Sequence, residues 1–362
     1  LCDCLIVCDL HIIIISVKEC AFRDTGNTTG WERWKKNAIE KSLSQIGGAQ
    51  SWLSTQDRFQ RADGRIVQLP PQNLRRYHRI AVALGANGQV PIHFGDQQDG
   101  FVHLCDERSL GAIFVSLDTI TDFVEFLSET EALFASGTRI IFSGGGIEDL
   151  LALYLGWGES YKIPGRLDGA MPDMLILQND LWTGLSSSES FHQRQKNLHV
   201  SYAWDDLIEH FTNDLLTAGI VDFLSEEVTN DQRALIQMAK QPRHHRAQLA
   251  AALIDYLSSD ESAARVAVGY EGTAFVFIAR ERPDMEFRVK ELTLRCEIVR
   301  VRCPGVTKVV GIGMDQPGFS QVGYASELVY LNRPEITDED RTIILAMQEK
   351  LGYFKGVSWS QE

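Results

Sequence analysis

Two short apolar runs open the chain, Cys4 to Cys8 and Ile12 to Val17, separated by the polar break Asp9-Leu10-His11. The pattern predicts a β-hairpin. With Leu10 and His11 as a two-residue loop, Asp9 lies opposite Ile12 and Asp3 opposite Lys18. Alternation puts Asp3, Leu5 and Val7 on one face with Ile14, Ser16 and Lys18, and Cys4, Ile6 and Cys8 on the other with Ile13, Ile15 and Val17. Both faces are apolar, so the hairpin belongs in a sheet covered on both sides, with Asp3, Ser16 and Lys18 clustered at one end of its first face.

After a loop from Asp24 to Gly30, the segment Trp31 to Leu53 places Trp34, Ala38, Ile39, Leu43, Ile46, Ala49 and Leu53 at helical spacing. Its polar side carries Asn37, Lys41 and Gln45 at i, i+4 and i+8, which projects them in one line. Further strands are expected at Arg65 to Leu69 and Arg79 to Leu84. From residue 100 onward the 3.6-residue period predicts helices at Thr119 to Ala135, Ile147 to Leu155, Tyr202 to Leu216, Asp231 to Ala239 and His245 to Leu257. The segment Asn179 to Asn197 shows little pattern and is expected to be a mobile loop. The last hundred residues predict strands at Ala264 to Tyr270 and Thr273 to Ala279, a helix over Met285 to Val301, strands at Lys308 to Met314 and Glu327 to Leu331, and a helix over Glu339 to Lys350. The expected organisation is therefore an α/β domain over residues 1–95, a mainly helical region over 96–260, and an α+β domain of ββαββα pattern over 261–362.

Composition narrows this picture. A chain of 362 residues with 44% hydrophobic and 23% charged residues has the material for packed cores and lacks the signature of disorder. Its longest apolar runs are six residues, against roughly 20 for a bilayer span, so no membrane segment is expected. The start at Leu1, with neither a basic stretch nor a small-residue cleavage site, reads as a truncated chain and not as a signal peptide. Seven cysteines, four of them within the first 20 residues, read as reduced, buried thiols, which points to the cytoplasm. The net charge of -14 excludes a uniformly basic nucleic-acid platform. The average hides an asymmetry, because residues 31–80 carry 10 basic against 4 acidic side chains, and a polyanion would be neutralised there. The acidic C-terminal regions are candidates for contact with a protein partner.

Asp3 ahead of one strand, followed thirteen positions later by Ser16-Val17-Lys18 in the next, resembles the core motif of the PD-(D/E)XK nucleases. It is most similar to the nuclease-related (NERD) variety, in which a strand ending in Glu-x-Lys is followed by a helix bearing Gln; Gln45 stands at that helical position. The resemblance covers the first 55 to 95 residues and implies a restriction-endonuclease-like core, whose N-terminus is cut short here, that hydrolyses DNA phosphodiester bonds with Mg²⁺ or Mn²⁺. It implies Asp3 and the Val17 carbonyl as metal ligands, Lys18 as activator of the attacking water, Ser16 as orienter of a water, and Gln45, Lys41 and Asn37 as groups facing the scissile phosphate. Ser16 departs from the family pattern, which has an acidic residue there. A hard cation would meet one protein carboxylate instead of two, and the alternative is a fold that binds nucleic acid or a protein without cutting.

Other motifs have plainer readings. Cys2, Cys4, Cys8 and His11 lack paired C-x-x-C spacing and read as core residues and not as zinc ligands. Ser143-Gly144-Gly145-Gly146 lacks the Lys of a phosphate loop and is followed by Glu148 and Asp149, so it reads as the start of a helix. Arg243-His244-His245-Arg246 after Pro242 reads as a solvated helix start, and Gly318 to Gly323 has one residue too many for a nucleophile elbow.

Overall fold

The computed structural model describes residues 2–359 apart from 24–27, 63, 65, 87–94, 98, 99, 145, 165–168, 218–227, 260–263, 281–284, 316–325, 333, 334 and 356–358. The chain divides into two compact units, 1–194 and 195–362. Each contains a sheet. The helices expected between 96 and 260 are therefore shared between two sheet-containing units, and strands stand among them. The segment 318–323 lies outside the described residues.

In the first unit, strands β1 (Cys4–Cys8) and β2 (His11–Glu19) form the hairpin. Helix α1 (Thr28–Lys35), a π-helical turn over Lys36–Glu40 and helix α2 (Lys41–Leu53) follow. A small ribbon of β3 (Arg58–Gln60) and β4 (Ile66–Gln68) leads to β5 (Arg76–Leu84), β6 (Gly95–Gln97) and β7 (Gly100–Cys105). The five-stranded sheet has the order β1-β2-β5-β7-β6, with β2, β5 and β7 parallel and β1 and β6 antiparallel at its edges.

The hairpin register is Cys4 opposite Ile15 through Cys8 opposite His11, so the two-residue loop is Asp9-Leu10 and not Leu10-His11. Asp9 takes the left-handed conformation at φ 56°, which Asp tolerates in such turns. The slip is two partner positions, which preserves every face assignment. Asp3 is brought level with Ser16, its backbone N–H donating to the Ile15 carbonyl at 3.1 Å.

Ile12, Ile14, Ala81, Ala83, Val102 and Leu104 face Trp34, Ala38, Ile46, Ala49 and Leu53 on α1, the π-helical turn and α2. Ile13, Ile15, Ile80 and Val82 face the helices that follow β7: α3 (Glu107–Ser116), α4 (Ile120–Ala135) and α5 (Ile147–Gly156). Two covering layers explain why Ile12 to Ser16 are all buried. Cys4 is exposed and Cys2 and Cys8 are half-buried, because β1 is an edge strand; only Cys105 and Cys296 are buried outright, so the expectation of uniformly buried thiols is corrected.

A separate parallel pair, β8 (Arg139–Ser143) and β9 (Met174–Gln178), precedes helices α6 (Leu181–Ser186) and α7 (Glu189–Leu198). Asn179 to Asn197 is thus mostly helical, not a loop. Trp182, Leu185 and Phe191 supply the apolar contacts that hold it to the core, and its high polar content had masked that spacing.

The second unit carries α8 (Tyr202–Thr217), α9 (Asn230–Ala239) and α10 (Arg243–Ser258), then β10 (Arg265–Val268), β11 (Ala274–Arg280), α11 (Met285–Arg302), β12 (Lys308–Asp315), β13 (Ser326–Asn332) and α12 (Asp338–Leu351). The ββαββα order matches the sequence expectation. Its sheet runs β10-β11-β12-β13, with the central pair parallel and the outer pairs antiparallel. Phe275, Phe277, Val310 and Ile312 pack toward Trp204, Phe211, Met238 and Leu249, while Val276, Ile278 and Val309 pack toward Leu292, Cys296 and Val299 on α11. The start of α10 is not solvated: Arg243 and Arg246 are buried and both donate to Asp205, at 2.6 and 2.5 Å.

Candidate functional site

Four of the sequence-derived residues converge at the C-terminal end of β2, on the face that α2 covers. Asp3 Oδ2 accepts from the Val17 backbone N–H at 2.7 Å and from Ser16 Oγ at 3.3 Å, and lies 3.5 Å from Lys18 Nζ. Gln45 Oε1 accepts from Lys18 Nζ at 2.6 Å and from Ser16 Oγ at 3.0 Å. Ser16 is fully buried beneath the group, whereas the side chains of Asp3 and Lys18 are 41% and 27% exposed. The result is a carboxylate and an ammonium side by side at an open rim, braced from below by a hydroxyl and from the helix by an amide.

The local sequence accounts for this placement. Ser16 and Lys18 share a face because they are two apart in a strand. Gln45 reaches them because Ile46, Ala49 and Leu53 bury the adjacent side of α2 against that sheet face. The hydrogen bond from the Val17 amide, helped by the Lys18 charge and the Ser16 hydroxyl, holds the Asp3 carboxyl below the usual carboxylate range against the opposing effect of burial. It is ionised at neutral pH.

Asn37 and Lys41 do not join this group. Asn37 Nδ2 donates back to the Arg33 carbonyl at 3.0 Å, and Lys41 is exposed. For Asn37 the cause is the π-helical turn over Lys36–Glu40, whose wider winding breaks its i, i+4 alignment with Lys41; Lys41 keeps that spacing to Gln45 within α2 but lies one turn away from it and exposed.

Two features bear on whether a divalent cation fits. Asp3 Oδ1 has no hydrogen-bond partner among the described residues, so one carboxylate oxygen remains available. Val17 points its N–H toward Asp3, and a strand residue's C=O projects to the same side as its N–H, which turns the Val17 carbonyl toward that rim as well. One carboxylate and one carbonyl are sparse for Ca²⁺ but compatible with Mg²⁺, which keeps several waters and takes further oxygens from phosphates.

The glycine-rich run before α5 has no room for phosphate. Asp149 Oδ2 accepts from the Gly146 N–H at 3.0 Å, and a Cβ at Gly146 would meet Glu148 Oε2 at 2.5 Å, so the helix start already holds its own carboxylates.

A second polar group, which sequence reasoning missed, lies on the opposite sheet face. Glu131 on α4 accepts from both His78 Nδ1, at 2.9 Å, and His103 Nε2, at 3.1 Å, through the same oxygen, Oε1. His78 Nε2 in turn lies 2.8 Å from His11 Nδ1, and these two rings stack with centroids 5.1 Å apart. With His78 donating to the carboxylate from Nδ1, its Nε2 accepts from His11. Burial would raise the Glu131 carboxyl, but the His103 and His78 hydrogen bonds outweigh it and bring it to about 2. Burial, together with His78 and Arg76, lowers His11 to about 4, and burial lowers His103 as well. No local signal could have found the group, since its members come from β2, β5, β7 and α4 and meet only when the sheet forms.

Comparison with protein-family models, with curated proteins and with solved structures returns no match for this chain. No helix among the described residues is long and apolar enough to cross a membrane.

Proposed function

We propose that the first unit is a restriction-endonuclease-like domain that hydrolyses DNA phosphodiester bonds with the aid of Mg²⁺ or Mn²⁺. The observation that carries this reading is the meeting of Asp3, Lys18 and Gln45 at one strand end, through contacts of 3.5 Å or less. The succession of strand, turn, strand and Gln-bearing helix in β1, β2 and α2 is the order the resemblance implies.

In this reading Asp3 Oδ1 and the Val17 carbonyl hold the cation. When bound, it supplies positive charge to the phosphate oxygens and lowers the pKa of water. Lys18 Nζ, an ammonium paired with Asp3 and Gln45, donates a hydrogen bond that orients the attacking water and offsets the negative charge that develops as that water gives its proton to solvent. Gln45 Oε1 anchors Lys18, while its Nε2, with no partner among the described residues, is free to donate to a phosphate oxygen. Ser16 fixes both acceptors from beneath.

A second reading, in which the fold grips nucleic acid or a protein without cutting, is favoured by one observation. Ser16 occupies the position of the family's second acid, and its hydroxyl is committed to Asp3 and Gln45. The two readings separate on incubation of the purified chain with supercoiled plasmid. Metal-dependent nicking abolished by Lys18→Ala supports cleavage. Salt-sensitive, metal-independent retention lost on Lys41→Glu supports binding alone.

A further inference from the structure

Strand β5 begins at Arg76, but β7 pairs with it only over Ile80–Val82, which leaves a step at that edge of the sheet. A pocket of about 350 Å³ fills the step, lined by Tyr77, Arg79, Phe101, Glu131, Phe134 and Ala135. Arg79 stands four residues before Ala83, the register partner of Lys18, so the pocket lies roughly 13 Å along the strand from the Asp3 group.

The walls are chemically specific. One carries Glu131, ionised and with Oε1 already accepting from His78 and His103, while Oε2 has no partner among the described residues. Another carries the Arg79 guanidinium, which rests on Gly100; a Cβ there would come within 2.2 Å of Arg79 Nη2, and Gly100 adopts φ +106°. The floor is aromatic, with the Phe101 and Phe134 rings 4.8 Å apart. On the lining, the buried Tyr77 Oη has no hydrogen-bond partner among the described residues, and beside Phe101 the same holds for Nδ1 of His103, whose ring packs edge-on against that phenyl ring. Buried polar groups without partners are few in folded proteins, and each calls for a physical account such as strain, a chemical role, a water or an ion.

We propose that this pocket binds a small zwitterion bearing an apolar group, the chemistry of a free α-amino acid with an aromatic or aliphatic side chain. The ammonium donates to Glu131 Oε2, the carboxylate accepts from Arg79, and the side chain covers Phe101 and Phe134. Tyr77 Oη gains a partner at the polar end. Arg79 has donors enough to serve a ligand beside its existing interaction, since a guanidinium carries five. This assignment does not depend on phosphodiester chemistry at Asp3.

The test is calorimetric titration of the full chain with L-phenylalanine and L-leucine, beside phenethylamine and phenylacetate as the two half-ligands. Saturable binding of an amino acid is expected, with each half-ligand weaker by at least about tenfold, as loss of one charged hydrogen bond implies. Arg79→Gln should weaken the amino acid by a similar factor and leave phenethylamine unchanged. Tyr77→Phe, which leaves the Glu131 network intact, should weaken it by a smaller factor. Equal binding of a half-ligand, no effect of Arg79→Gln, or no saturable binding of either amino acid would overturn the assignment.

Discussion

Val17 donates its backbone N–H to Asp3 Oδ2 over 2.7 Å, so the orientation of that carboxylate is set by strand β2 and not by a free side-chain rotamer. The second oxygen is consequently presented at the rim in a fixed direction. A lone carboxylate held in this way is a better ligand than a mobile one, because its ordering cost falls on folding and not on binding.

Replacing Ser16 by Glu installs the acid that the nuclease pattern this segment resembles has at this position. Two carboxylates at one strand end repel, so without metal Ser16→Glu should lose about 1–3 kcal/mol of stability, including the strain of a larger buried side chain. Mn²⁺ should return much of that loss and bind on the order of tenfold more tightly than to the wild type. Thermal melts with and without Mn²⁺ check both. A variant destabilised equally in the two conditions would show that position 16 does not face the cation.

Stability should fall with acid in two windows. His11 has a folded pKa of about 4, below its ordinary 6.5, so its contribution is complete above 6.5 and is lost as pH falls toward 4. Glu131, at about 2 against an ordinary 4.5, contributes fully above 4.5 and loses its share as pH falls toward 2. His11→Gln should make the upper window shallower, with the share of the buried His103 remaining, and leave the lower one, as read from melting temperature against pH. An unchanged upper slope would remove His11 as its source.

Glu131→Ala takes away the single acceptor of two buried imidazole N–H groups. At about 1–3 kcal/mol for each donor left without a partner, the loss should be roughly 2–6 kcal/mol in urea unfolding of the first unit. A loss under about 1 kcal/mol would mean that His78 and His103 find other partners.

In the second unit Asp205 holds both Arg243 and Arg246. Removing it in Asp205→Ala takes this carboxylate from two buried guanidinium groups, which keep their hydrogen bonds to Ser201, Gln241 and Ala239, and should cost about 3–5 kcal/mol, with Asp205→Asn falling between. Urea unfolding followed by the fluorescence of Trp204, buried in that core, reads the change.

The parts of this molecule that follow a local period were legible in the sequence. The ββαββα order of the last hundred residues, the helices at α4, α5, α8, α9 and α10, and the faces of the hairpin all come from spacing that each segment carries by itself. The Asp3, Ser16, Lys18 and Gln45 group could be nominated because two-residue alternation and one helix face suffice to align it. Strands β7, β8 and β9 and helix α3 were not found, since short apolar runs do not separate strand from helix. The π turn could not be seen either, as nothing in Lys36–Glu40 distinguishes it from α-helix, and it undid the expected alignment of Asn37. The histidine group and its pocket depend on four elements up to 120 residues apart, and only the assembled sheet brings them together.

The most direct measurement is the rate at which the purified full chain nicks supercoiled plasmid in Mn²⁺, set beside Asp3→Ala and Lys18→Ala at equal concentration. The account predicts metal-dependent nicking by the wild type, with each variant slower by at least about a hundredfold, as expected where a metal ligand or a charge-stabilising donor is lost. Nicking that persists in both folded variants, or its absence from the wild type in Mn²⁺ and in Mg²⁺, would contradict it.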